Sequence, residues 1–264
     1  MHVNVEKIDN YAIVSICKEP VNSMDTKLWE DLGTALAALE ADSAVHGAIF
    51  QSGLKRDVYT AGNDIKELYM PATSKEQFLR FWTAQTMFLV NLYKSPLFTI
   101  ASIRGACPAG GCILAMCCDY RIQTDDPGAV IGLNEVALGI GVPRYWVDIM
   151  ASLVGGRRTE TLLMTAAMPS SREAQQIGLI DQVVSKDDLL PASQKVMAQC
   201  LKFPRAGQIL TKLAIRGDLA KKWGAYCPEE AETVYNFLSA PAVVSSLEGV
   251  LKRLAGGKKK QSKL

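Results

Sequence analysis

One carboxylate, Glu135, interrupts the otherwise apolar stretch from Ala129 to Ile140, A-V-I-G-L-N-E-V-A-L-G-I. If this glutamate is buried, its charge must be paired or its pKa must rise, and a carboxyl group titrating near neutrality suits a general base. A solvent-facing or helix-capping glutamate is compatible with the same stretch. A second run, Ala101 to Asp119, reads A-S-I-R-G-A-C-P-A-G-G-C-I-L-A-M-C-C-D. Glycines at the start of a helix leave backbone N–H groups uncovered and pointing outward, where they can hydrogen-bond an anion. Gly110 is the candidate donor. In a third run, Thr60-Ala61-Gly62-Asn63-Asp64, the N–H of Asn63 is a candidate second donor facing a ligand. A glycine turn capped by Asp64 is the plainer reading of this window by itself.

Other chemistries lack material. The two histidines are His2, near the start, and His46, in a polar turn, so neither a Ser-His-Asp triad nor a histidine metal site is expected. No G-x-G-x-x-G follows the first strand, which removes a dinucleotide-dependent dehydrogenase. The seven cysteines are scattered through apolar stretches and read as small buried hydrophobes of a reducing compartment, with no zinc spacing, so no metal is expected. Net charge is +2, and the only dense basic run, Lys258-Lys259-Lys260, reads as a tail, so no nucleic-acid partner is expected. No run of 18 apolar residues is present, which predicts no membrane span. The start, M-H-V-N-V-E-K-I-D, lacks an apolar signal core. Ser262-Lys263-Leu264 is the tripeptide read by the peroxisomal import receptor and predicts a peroxisome or a related organelle such as a glycosome, with a mitochondrion as the lesser alternative.

The elements that must position these residues form an α/β layered pattern. Val3–Glu6 and Tyr11–Cys17 flank Asp9-Asn10 as a β-hairpin. Asp25 offers an N-cap for a helix carrying Leu28, Leu32, Leu36 and Leu39. Residues 48–51 form a short buried strand, and Tyr59 leaves a strand toward a helix beginning near Asp64. A long helix is expected over Lys75–Tyr93. Leu97–Ile103 is a strand, Cys112–Cys118 a buried helix, and Asp119–Ile122 the start of another strand. A helix through Trp146–Leu153 stops at Gly155-Gly156, Ser170 caps the next, and residues 178–184 make a turn and final strand. From Asp187 to Leu254 the pattern is helical, with breaks at Phe203-Pro204, Tyr226-Cys227-Pro228 and Ala240-Pro241. We therefore expect a layered core over 1–195 and a helical region over 196–264.

Together, Thr60 to Asp64, Gly105 to Cys112, Asp119-Tyr120-Arg121, Ile131 to Gly139 and the later A-x-x-I-G-L-I-D-Q-V-V of Ala174 to Val184 resemble the crotonase (enoyl-CoA hydratase/isomerase) superfamily. The similarity runs over residues about 5 to 250. Within the superfamily, G-A-C-P-A-G-G-C and I-G-L-N-E are most similar to the Δ3,Δ2-enoyl-CoA isomerases of fatty-acid oxidation.

The resemblance implies a spiral of repeated ββα units completed by C-terminal helices, assembled as a homotrimer or a dimer of trimers. It implies an acyl-CoA thioester substrate and no separate cofactor. It places the thioester oxygen between the N–H groups of Asn63 and Gly110, and CoA against Thr60, Ala61, Gly62, Asp64 and Ile65. Hydratases of the family carry a glutamate three residues after the oxyanion glycine; here that position is Ile113, and only Glu135 remains. The implied reaction is transfer of a proton from C2 to C4 by Glu135, beside a pocket wall of Ile113, Leu114, Leu133 and Asn134. Asp148 is a possible second acid. Alternatives are another acyl-CoA reaction of the superfamily (dienoyl isomerisation, hydration or thioester hydrolysis) and a non-catalytic acyl-CoA-binding protein.

Overall fold

The computed structural model describes residues 2–261, with side chains through residue 253. The chain begins with the hairpin of β1 (Val3–Ile8) and β2 (Tyr11–Ile16), followed by α1 (Thr26–Ala41) and β3 (Gly47–Ser52). Next come α2 (Ile65–Leu68), a 3-10 turn at Met70–Ala72, α3 (Lys75–Lys94), β4 (Phe98–Ile103), β5 (Cys107–Pro108) and α4 (Gly110–Cys117). β6 (Tyr120–Thr124), β7 (Ile131–Gly132) and a 3-10 turn at Glu135–Leu138 complete the part that carries the candidate residues. The rest is α5 (Arg144–Val154), α6 (Gly156–Met164), α7 (Ser171–Gln176), β8 (Gln182–Val184), α8 (Leu189–Cys200), α9 (Arg205–Leu238) and α10 (Pro241–Gln261).

The main sheet has the order β1-β2-β3-β4-β6-β8 and is parallel except for the first hairpin. Successive parallel strands need crossovers, and each crossover here touches a second, smaller layer. After β3 the chain makes a bridge from Val58 to Ala106; after β4 comes β5; after β6 comes β7, which pairs in parallel with β5. The alternation of a long strand, a short strand and a helix is the expected ββα winding. The short strands are only two residues long, too short to show as periodicity in the sequence.

One face of the sheet presents Ile13, Ile49, Ile100 and Ile122 to Leu189 and Met197 of α8. The other face buries α1, α3 and α4, with Trp29, Phe50, Phe78, Phe81 and the whole of α4 out of contact with solvent. The caps behave as their residue types predict: Asp25 accepts from Leu28 N, Ser74 from Gln77 N, and Ser170 forms a capping box with Glu173. All seven cysteines are free thiols, and Cys107, Cys112, Cys117, Cys118 and Cys227 are buried.

Two expectations, at Tyr59 and Pro228, are corrected, and two others are borne out. Tyr59 lies in no strand; isolated bridges flank it, because the chain there bends to reach α4. α5 ends at Val154 with Gly155 as its C-cap, as expected, and after Gly155 at φ +84° a separate helix, α6, begins at Gly156. The expected turn and final strand over 178–184 is found, with the strand itself at Gln182–Val184. Pro228 does not break the chain: α9 runs unbroken through it. Proline removes a single hydrogen bond and crowds the preceding turn; burial of Trp223, Cys227 and Ala231 in the same stretch compensates. No single helix among the described residues is long and apolar enough to cross a membrane.

α9 is also fastened by charge. Lys212 Nζ donates to Ser95 O, Leu97 O and Asp119 Oδ2, the last at 2.6 Å. Arg216 donates to Tyr93 O and Cys117 O, sits over the Tyr93 ring and pairs with Asp119. These cations satisfy carbonyls at the C-terminal ends of α3 and α4, where the helix dipole favours positive charge.

Candidate active site

α4 starts without any side-chain cap. The residue before it, Ala109, is held at φ 48°, ψ −117°, a region L-residues rarely occupy. Its N–H is fixed on Gly132 O at 2.8 Å, and its carbonyl accepts from Ile113 N at 3.1 Å. That carbonyl points along the helix, so the next N–H, of Gly110, points out of the N-terminus. Among the described residues, no group accepts from it.

The Asn63 N–H is oriented by a neighbouring peptide bond. Gly62 O accepts from Met24 N at 2.9 Å, and Asp64 N donates to Met24 O at 2.9 Å. In a trans peptide the N–H points opposite to the carbonyl, so Asn63 N–H faces away from Met24. It too has no acceptor among the described residues. The two donors are neighbours: a Cβ placed on Gly62 would lie 3.6 Å from Gly110 N, and one on Gly110 would lie 3.4 Å from Asn63 N.

The other residues of the first run divide by role. Thr60 is fully buried, and its hydroxyl donates to Asn22 O and accepts from Gly62 N, so it closes the turn. Asp64 caps α2 through Lys66 N and accepts from Ser23, which bears out the capping alternative for its side chain. Ala61 is exposed, and Asn63 and Ile65 are half-buried, so this edge is open to a ligand. Gly111 is obligatory for packing: a Cβ there would lie 2.3 Å from Thr60 Cγ2.

Glu135 is 7% exposed, and neither carboxylate oxygen has a hydrogen-bond partner among the described residues. Burial pushes its pKa up to about 7, against a smaller lowering by its own backbone N–H. Its place follows from register. β7 pairs Gly132 with Pro108 of β5, so the chain leaving β7 toward Glu135 and the chain leaving β5 toward Gly110 depart from the same pair of strands. Burial and the Glu135 carboxylate both raise the pKa of Cys112 in the first turn of α4, which marks Glu135 as a neighbour of that turn. Ile113 and Leu114 are fully buried, Leu133 is 1% exposed, and Asn134 is half-buried with no side-chain capping bond. Asp148 is exposed on α5, in contrast to Glu135. Ser262, Lys263 and Leu264 lie outside the described residues.

Two site neighbours carry no local sequence signal. Trp29 Nε1 donates to Asn63 Oδ1, and Asn63 Nδ2 donates to Gln85 Oε1. Both partners are fully buried. The only hint is a glutamine inside the apolar face of α3, between Trp82 and Phe88.

The enoyl-CoA hydratase/isomerase family model matches residues 10–251. Enoyl-CoA delta isomerase 1, mitochondrial, of Homo sapiens is 33% identical over 243 residues, covering 92% of this chain and 80% of the human protein. The mouse protein of the same name is 31% identical over 252 residues, covering 96% and 86%. The crystal structure of human mitochondrial delta3-delta2-enoyl-CoA isomerase superposes with a TM-score of 0.94 at 32% identity, over 98% of this chain and 100% of that one. An enoyl-CoA hydratase from Bacillus halodurans shares the fold, with a TM-score of 0.85 at 21% identity over 94% of this chain and 100% of that one.

Proposed function

The chain belongs to the enoyl-CoA hydratase/isomerase family, and within it we propose that this protein is a Δ3,Δ2-enoyl-CoA isomerase that moves the double bond of a 3-enoyl-CoA into conjugation with the thioester. The observation that carries this is a lone, buried, unpartnered Glu135 beside two free N–H donors, with Ile113 where the family's hydratases have a second glutamate.

The thioester oxygen binds between Asn63 N–H and Gly110 N–H. These donors lower the cost of the negative charge that develops when a proton leaves C2. Glu135 takes that proton; the C2–H electron pair enters the dienolate. The protonated carboxyl then gives the proton to C4, the C2–C3 double bond forms, and Glu135 is a carboxylate again. A pKa near 7 leaves enough base to start and enough acid strength to finish. Both carbons lie on one face of a planar dienolate, so one side chain serves both. Ile113, Leu114 and Leu133 keep water from the intermediate. CoA lies along the accessible edge at Ala61, Asp64 and Ile65 through main-chain contacts, with the buried Thr60 and Gly62 shaping the turn behind it, and the reaction needs no separate cofactor. The test is to offer the purified protein a 3-enoyl-CoA and a 2-enoyl-CoA separately. Conversion of the first with little hydration of the second supports the isomerase; rapid hydration of the second refutes it.

The same proposal covers assembly and location. A homotrimer or pair of trimers formed through the helices after residue 196 is supported by Phe203, Leu210 and Ile215, which are 65%, 68% and 73% exposed in the single chain. Light scattering of the purified protein decides it. Ser262-Lys263-Leu264 supports a peroxisomal address, although the human, mouse and rat relatives carry mitochondrial in their names. Removing the tripeptide from a fluorescent fusion is the test: unchanged peroxisomal signal contradicts it.

A further inference from the structure

The carboxamide of Asn63 is gripped from two helices. Trp29 Nε1–H, on α1, donates to Asn63 Oδ1 at 3.2 Å, and Asn63 Nδ2 donates to Gln85 Oε1, on α3, at 2.6 Å. An indole N–H can only donate, so it dictates which end of the Asn63 amide is oxygen. That choice in turn dictates the orientation of Gln85, whose oxygen must face Asn63. Gln85 Nε2 is left buried with no acceptor, an arrangement that ordinarily costs stability. The gripped carboxamide lies against Gly110: a Cβ on Gly110 would meet Asn63 Oδ1 at 2.8 Å and Asn63 N at 3.4 Å. The chain Trp29–Asn63–Gln85 therefore ends against Gly110, the residue that carries the second N–H donor.

We propose that Trp29 and Gln85 are positioning residues for the oxyanion site. By holding the Asn63 carboxamide they set where Asn63 N–H points relative to Gly110 N–H. This rests on the reading of those two groups as the thioester-oxygen donors. The backbone bridge to Met24 fixes the plane of the 62–63 peptide; the side-chain grip fixes its approach to Gly110. Donors preorganised toward developing charge lose their effect when displaced by a fraction of an ångström to an ångström.

The experiment uses full-length wild type, Gln85→Met and Trp29→Phe. Each is bound to a saturated acyl-CoA carrying a 13C thioester carbonyl, which has no double bond to move. The infrared carbonyl band of the bound ligand reports hydrogen bonding to that oxygen, which a role in stability alone does not alter. In the wild type the band shifts down from its position in water. In both variants it returns part of the way, and kcat falls about 10- to 100-fold while KM stays within about threefold. Wild-type band positions and kcat in Gln85→Met overturn the inference even if Trp29→Phe fails to fold, because methionine keeps the length and bulk of glutamine and loses only the amide. No shift in the wild type itself refutes the oxyanion site, and the inference with it.

Discussion

Gly110 lies so close to Asn63 that a single methyl group on its Cα would sit 2.8 Å from Asn63 Oδ1. Glycine is required there for room: the N–H donors of two segments 47 positions apart in sequence converge only because nothing stands between them. Gly110→Ala must push the Asn63 carboxamide or the start of α4 aside. Loss of one oxyanion donor costs about 100- to 1000-fold in rate, and we expect kcat for a 3-enoyl-CoA to fall in that range. A variant within twofold of wild type contradicts the convergence.

On the proposed mechanism, Glu135 links activity to pH. The base must be ionised to accept a proton, so kcat/KM rises with pH through an apparent pKa of about 7 and levels off above it. A pH profile that is flat from 5 to 9 contradicts the assignment.

The same burial has a stability consequence of opposite sign. The unfolded chain releases the Glu135 proton near the ordinary glutamate pKa, whereas the folded chain retains it up to about 7. Between these values the folded state binds more protons, so stability falls as pH rises and is lowest above 7. Glu135→Gln has no such penalty. It should match wild type near pH 4 and exceed it by on the order of 3 kcal/mol at pH 8, measured by urea unfolding. Equal stability at both pH values contradicts the buried, unpaired carboxylate.

On the proposed mechanism, Ile113 decides between proton shuttling and hydration. Ile113→Glu places a second acid at a fully buried position in α4, and we expect destabilisation of several kcal/mol from the buried carboxyl together with measurable hydration of a 2-enoyl-CoA. Folded protein with no hydratase activity shows that a second acid at this position is not sufficient.

Asp119 holds α9 to the core through Lys212 and Arg216 and accepts from Thr99 N and Oγ1. Asp119→Ala leaves two largely buried cations without their counter-charge. Removing one partner of such a cluster costs about 3–5 kcal/mol. Chemical unfolding measures this; a loss under 1 kcal/mol contradicts the fastening role.

What the sequence revealed was local. Glycines at a strand-to-helix turn and one glutamate in an apolar run are marked by the conformation or the desolvation they impose, and both stand out in a short window. The small sheet of β5 and β7, which brings those windows together, is two residues per strand and leaves no period to detect. Trp29 and Gln85 reach Asn63 from 34 and 22 residues away, and Lys212 reaches Asp119 from 93 residues away. Such pairings exist only after the helices are packed. Pro228 misled because proline is a local signal, and packing of α9 on α3 outweighs it.

The central claim is that Glu135 alone carries a proton from C2 to C4. The direct measurement is turnover of a 3-enoyl-CoA deuterated at C2, in ordinary water, with mass-spectrometric location of deuterium in the product. A carboxyl group 7% exposed retains the label long enough to deliver part of it, so deuterium at C4 is predicted in a measurable fraction of the first product formed, with none delivered by Glu135→Gln. Product whose C4 hydrogen comes entirely from solvent, at the earliest times and with full activity, would show that a second group supplies the proton and would contradict the single-base account.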